Sequence, residues 1–506
     1  MPEKVLANLE PQIVWNIFEE ITKIPRPSKK EEKIRVWAKS WAKDNKITCK
    51  EDTVGNLLLS KKASTGNEKL PTLVLQGHLD MVCQQNPDTK VDCEKDPLIV
   101  RTDGKTVYAE GTSLGADNGI GVALGFAALI DEELVHGPLE VLLTVDEETG
   151  MTGALRMKKG FFTGDYLLNL DSEILGEITI SSAGGGDTIL SLPVENISVK
   201  GWKGIRLEIS GLQGGHSGIE IDKGRLNAIK VGVDALTRVQ DYLSKQEDRN
   251  AKLLITNIFG GTVLNAIPSE FSCDFLVPKG NKAMVMKVLN HWKRYASSAM
   301  KDIEPKIAIK LSEIEAKEGF SAEQSANICS LLSELHHGMI SMSLEIDGLV
   351  QTSNNLAVVK TLTDRVEISL STRSSVDEEL NEAREKAKSL GDSLGAEVNL
   401  TETYPGWTTD LDSPFLKLVK ASYEEVLIKE VKLNAIHAGL ECGMFLKLNS
   451  KLSVSSIGPT IKNVHTTEEY VEVESVLIIW EIVKKIIGSM GNLDDPGNIT
   501  SFIRAP

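Results

Sequence analysis

The sequence has no cysteine pair of the C-x-x-C kind: Cys49, Cys83, Cys93, Cys273, Cys329 and Cys442 are scattered along 506 residues. This fits poorly with a disulfide framework or a cysteine zinc site, so a reducing compartment is expected. No uninterrupted apolar run reaches the ~18 residues that a membrane span needs. The opening Met-Pro-Glu-Lys-Val-Leu carries an early acid and no long apolar core, and is not read as a signal peptide. Basic residues are outnumbered, with 56 Lys and Arg against 72 Asp and Glu, a net charge of −16. Nucleic acid is therefore not expected as a main partner, whereas cation binding is compatible with the excess acid. The expectation is a soluble, cytoplasmic protein without a membrane partner, with about three domains' worth of chain.

What the chain does have is the stretch Glu110-Gly-Thr-Ser-Leu-Gly-Ala-Asp117-Asn-Gly-Ile-Gly-Val-Ala123. It sets one carboxylate in a glycine-rich turn that leads into an apolar helical pattern ending near Ile130. Alone, it reads as a turn with a helix-capping Asp. Gly115, Gly119 and Gly121 match neither G-x-G-x-x-G nor a P-loop ending. Its neighbours change that meaning. Apolar strands predicted at 72–76, 139–145 and 166–170 lead into Gly77-His78-Leu79-Asp80, Asp146-Glu147-Glu148-Thr149-Gly150 and Asp171-Ser172-Glu173. In open α/β sheets ligands bind beyond the carboxyl ends of the strands, so these groups can converge. Residues two apart on extended backbone share a face, which lets Asp80 take the second N–H of His78.

Helices are expected at 12–23 and after a capping box at Ser28 and Glu31. Ser181-Ser-Ala-Gly-Gly-Gly186 reads as a flexible break. From 187 to 397 the pattern becomes α+β, with strands at 205–209 and 365–370 and a helix at 226–243. The expected organisation is an α/β domain of mixed sheet flanked by helices, formed by 1–186 and 398–506, around an inserted α+β domain at 187–397. In the tail, Ser413-Pro414 starts a helix and 453–458 is strand-like. His465 lies on a loop before a final helix at 471–487, for which Thr466 and Glu469 form a second capping box.

His78, Asp117, Glu148, Asp171 and His465 are thus two imidazoles and three carboxylates in matching local contexts. The set suits two zinc ions about 3.5–4 Å apart sharing Asp117 and one water. Three carboxylates and a bridging hydroxide cancel the four positive charges, which limits the cost of burial. Glu147, beside a ligand but not needed as one, is placed to act as general base. Co²⁺ or Mn²⁺ could use the same ligands.

Together, Gly77-His-Leu-Asp-Met-Val82, the Gly-Ala-Asp117-Asn-Gly turn, Asp146-Glu-Glu-Thr-Gly150, Asn169-Leu-Asp171-Ser-Glu173, Gly214-Gly-His216-Ser-Gly218 and Val-His465 resemble the co-catalytic dizinc exopeptidases related to carboxypeptidase G2 and peptidase V. The likeness is greatest to their aminoacyl-histidine dipeptidase branch and spans nearly the whole chain. The resemblance implies His78 and Asp171 on one zinc, Glu148 and His465 on the other, Asp117 between them, Asp80 orienting His78, and Glu147 as base. It further implies that the insertion is a lid whose His216 stabilises the oxyanion, with Asn257 and Arg373 on the substrate carboxylate. The implied substrate is a dipeptide with C-terminal histidine, beta-alanyl-histidine included, and the chain is a monomer or a homodimer. His437 and Glu441, four apart, could share a helix face; Glu441 is assigned to the substrate ammonium and His437 to nothing. The alternatives are an N-acyl amino acid deacylase or carboxypeptidase with the same core, and a non-catalytic binding protein.

Overall fold

The computed structural model describes residues 5–493 except 250, 345 and 347. It forms two compact units: one from the described residues up to Ser181, Trp407–Ala435 and those from Leu440, the other from Ser182–Gly406 with Ile436–Gly439. The second unit is wider than 187–397 and takes back a short piece of the tail. No helix among the described residues is long and apolar enough to cross a membrane.

The first unit is α/β. Four strands at the centre of its nine-stranded sheet run parallel, in the order Leu139–Thr144, Leu73–His78, Tyr166–Asn169, Ser453–Ser456. Nearly every residue of these strands is buried, as expected of parallel strands covered on both faces. Their carboxyl ends align: His78 pairs with Thr144, and Gln76 and Ser456 with Asn169. The loops leaving these ends carry the candidate chemistry.

The helix Ala116–Ile130 crosses the sheet and is buried almost all round, which explains its run of Gly and Ala. Phe126 stacks against Trp41 and Trp37 of the helix Glu32–Asp44, with centroids 4.4 and 5.5 Å apart. That second helix is not opened by the expected capping box. Ser28 Oγ donates instead to Asp80, and Glu31 accepts from the Lys29 and Asp146 N–H groups. The last α-helix among the described residues is Val473–Ser489, without a side-chain cap, because Tyr470–Glu472 is a strand.

The second unit has its own core and an antiparallel sheet. The expected flexible break at 181–186 is instead ordered strand, Glu177–Ser182 followed by Gly184–Pro193. The glycines serve packing: a Cβ on Gly185 would lie 2.4 Å from the Tyr404 hydroxyl. Helices such as Ala228–Ser244, capped by the Asn227 side chain, cover the sheet.

Candidate metal centre

The structure gathers all five candidate ligands, His78, Asp117, Glu148, Asp171 and His465, within the first unit. His78 Nε2 lies 3.0 Å from Asp117 Oδ1 and 3.3 Å from Asp171 Oδ1. His465 Nε2 lies 3.2 Å from Asp117 Oδ2 and 2.9 Å from Glu148 Oε2. The two oxygens of Asp117 are therefore divided between two imidazoles, each with a second carboxylate beside it.

Local backbone explains the convergence. His78 closes a buried strand, and Glu147 and Glu148 follow Asp146, whose φ of 54° turns the chain sharply at the end of the next one. His465 is itself left-handed, at φ 62°, a conformation histidine tolerates better than bulkier residues. Asp117 sits where the start of its helix is non-helical, so it projects from the turn and does not cap the helix.

Asp80 is fully buried and accepts hydrogen bonds from Ser28 Oγ at 2.8 Å and from the Glu147 and Glu148 N–H groups at 3.0 and 3.2 Å. Its Oδ1 lies 3.4 Å from His78 Nδ1. One carboxylate thus joins the loop after His78 to the loop bearing Glu147 and Glu148.

Burial and crowding set opposing demands on the charges of this cluster. Burial works against the charge on Asp117, yet His465 and His78 hold its pKa well below the usual carboxylate range. Burial would discharge His78, but Asp171, Asp117 and Asp80 raise its pKa well above the ordinary value. His465 has a side chain 40% exposed, and there partial desolvation is outweighed by Asp117 and Glu148, which push the pKa up to about 11. Burial raises Asp171 to about 7, and raises Glu147 well above the usual range with help from Glu148, Asp171 and Glu441.

The donor set fits divalent cations. His78, Asp117 and Glu148 offer ligand atoms all within 4.8 Å of one another. The buried Asp171 Oδ1 accepts no hydrogen bond. Imidazole nitrogens and carboxylate oxygens crowded at about 3 Å, with one oxygen unsatisfied, are what a metal would relieve.

The remaining candidates are placed differently. Glu441 is 1% exposed, its Oε2 taken by Gln76 Nε2 at 2.7 Å and Thr144 Oγ1 at 2.6 Å, while Oε1 accepts nothing. Burial lifts its pKa to about 8. His437 does not share a helix with it, because the helix begins at Cys442. His437 belongs to the second unit, where its Nε2 lies 2.7 Å from Ser353 Oγ. Also in the second unit, His216 Nδ1 accepts from the Gly218 and Ile219 N–H groups, which puts the ring proton on Nε2. Arg373 is 8% exposed and donates to Tyr404 Oη at 3.1 Å; Asn257 is exposed on the strand Leu254–Gly260.

Two residues that the sequence did not disclose hold the Asp117 turn. Glu469 accepts from the N–H groups of Leu114, Gly115, Ala116 and Asp117, so it is not a helix cap. Arg26 donates to the carbonyls of Leu79, Asp80 and Gly115. An arginine between two prolines was the only hint of the second. Nothing distinguished Glu469 from a capping residue.

A family model described as Peptidase family M20/M25/M40 matches residues 74–489. The chain is 38% identical over 484 residues to the cytosol non-specific dipeptidase of Escherichia coli (strain K12), across 95% of this chain and 98% of that protein. Among solved structures, the aminoacylhistidine dipeptidase from Vibrio alginolyticus is similar at 34% identity and a TM-score of 0.78, over 96% of this chain and 98% of that one. A tripeptidase from Staphylococcus aureus shares the fold, with a TM-score of 0.55 at 16% identity over 96% of this chain and 99% of that one.

Proposed function

The chain belongs to peptidase family M20/M25/M40, and from that premise we propose that it is a cytoplasmic metal-dependent dipeptidase acting on Xaa-His dipeptides, beta-alanyl-histidine among them. The observation that carries this is the division of the Asp117 oxygens between His78 and His465. His78 and Asp171 would hold one zinc ion, Glu148 and His465 a second, and Asp117 both; cobalt or manganese would suit the same donors. When bound, the metal pair supplies Lewis acidity at the scissile carbonyl and makes nearby water more acidic.

The protein's own residues do the rest. Glu147 takes a proton from the attacking water and returns it to the leaving amine. Asp80 keeps His78 and the Glu147 loop in register. His216, with its proton on Nε2, donates to the developing oxyanion. Arg373 and Asn257 bind the substrate carboxylate, a planar group that suits the guanidinium fork. Glu441 offers its free Oε1 to the substrate ammonium. The names of the Escherichia coli and Vibrio relatives support dipeptides as the substrate class.

A substrate panel tests this: Xaa-His and other free dipeptides, their N-acetylated forms and tripeptides, each with and without added Zn²⁺. Free dipeptides should be cut fastest, with Xaa-His among the best. Equal rates on blocked dipeptides would replace the proposal with a deacylase or carboxypeptidase, and no turnover of any substrate would leave a binding protein.

A further inference from the structure

Asp117 is held by a device that its own side chain does not reveal. Glu469 Oε2 accepts from the N–H groups of Leu114 and Gly115 at 2.8 and 3.0 Å; Oε1 accepts from Ala116 and Asp117 at 2.8 and 3.4 Å. Four successive amides converge on one carboxylate, a concave nest that the left-handed Gly115, at φ 65°, makes possible. The other side of this turn belongs to Arg26. Its Nη2 donates to the Gly115 carbonyl at 2.5 Å, and its Nη1 to the Leu79 and Asp80 carbonyls at 2.9 and 2.7 Å.

Residue Gly115 is thus gripped at its N–H by a buried anion and at its C=O by a buried cation, 2% and 1% exposed. Each charge also reaches a second ligand segment. Arg26 binds the loop immediately after His78, and Glu469 follows His465 by four residues on the same short segment. Two side chains 443 positions apart therefore tie three of the five ligand-bearing segments together.

We propose that Glu469 and Arg26 are positioning residues for the metal pair, presetting Asp117, His78 and His465 in the metal-free chain. The inference rests on the metal reading above. It differs from a simple turn staple in what it requires. A staple stabilises the fold alike with and without metal, whereas a positioning pair strengthens metal capture, since ligands fixed beforehand lose less freedom on binding. Outer partners of metal ligands typically change affinity by about 10–100-fold.

The test is Zn²⁺ binding to the full chain, measured by competition with a chromophoric chelator, for the wild type, E469Q, E469D and R26K. Circular dichroism establishes that each variant is folded at the temperature used. E469Q puts an amide N–H₂ opposite amide donors and should bind Zn²⁺ about 10–100-fold more weakly. E469D, which keeps the carboxylate, should recover part of that loss, and R26K, which loses the fork, should weaken binding. Wild-type Zn²⁺ affinity in folded E469Q, with only a lower melting temperature of the metal-free protein, overturns the inference and leaves a staple. If E469Q does not fold, wild-type affinity in both E469D and R26K overturns it equally. A wild-type chain that binds no Zn²⁺ removes the metal reading itself, an outcome distinct from unchanged variants.

Discussion

Glu147 and His465 show how far single side chains depend on their surroundings. Glu147 touches no ligand atom in the hydrogen-bond network of the five, yet its backbone is tied to Asp80. Replacing its carboxyl by an amide removes the proton carrier and leaves the ligands in place. Glu147→Gln should lower kcat by about 10²–10⁴-fold while elemental analysis finds metal content unchanged; lost metal would make Glu147 a ligand instead. The pKa directions give a second expectation. His465, raised from 6.5 to about 11, contributes stability that is full below pH 6.5 and lost as pH rises through 11. Asp171 and Glu441, raised to about 7 and 8, also lose stabilisation as they ionise with rising pH. Asp117, lowered, works the other way, but only in strong acid. The metal-free chain should therefore be less stable to urea at pH 9 than at pH 6. Equal stability at the two pH values would mean that these groups do not interact as their distances imply.

At the scale of elements, periodicity was legible and the capping of helix starts was not. The strands beneath the site and the helices Ala116–Ile130 and Ala228–Ser244 follow from apolar runs and helical spacing. Both expected capping boxes failed because Ser28, Glu31 and Glu469 bond to segments remote in sequence. This has a measurable consequence. Thr466 Oγ1 serves only its own exposed turn, donating to the Asn463 carbonyl and accepting from the Glu468 N–H. Thr466→Ala should change stability by no more than about 0.5 kcal/mol. Asn227 is a true cap, 3% exposed and accepting from Ile229 and Lys230, and its Nδ2 also donates to the Leu356 carbonyl, so Asn227→Ala should cost at least the ~0.5–2 kcal/mol of a lost cap. Denaturation of the two variants side by side distinguishes a pattern in sequence from a cap in space.

For the whole molecule, the consequence concerns the cost of assembling like charges. Each unit has its own hydrophobic core, and the first also buries a cluster of carboxylates that repel one another. Cations that bind only the folded chain should offset that repulsion, by about 2.7 kcal/mol when free metal is at 100 times its dissociation constant. Chelator treatment should lower the melting temperature of the transition involving the first unit and abolish peptide hydrolysis, and Zn²⁺ should restore both. A melting curve indifferent to chelator and to Zn²⁺ would argue that the five residues bind no metal.

The sequence by itself determined that acids and imidazoles would stand at the ends of buried strands, because apolar runs followed at once by Gly-His-Leu-Asp, Asp-Glu-Glu and Asp-Ser-Glu leave few other arrangements. The tertiary structure alone decided how those ends are joined. Parallel register aligned His78, Thr144 and Asn169, and the return of the tail brought His465 within reach of Asp117. It also turned Glu469 and Arg26 inward upon the Asp117 turn, and it enclosed Glu441 between Gln76 and Thr144. The reason is physical. Strand and helix periods are written in neighbouring residues, whereas the partner of a buried charge is whichever donor or acceptor the fold delivers, dozens to hundreds of positions away.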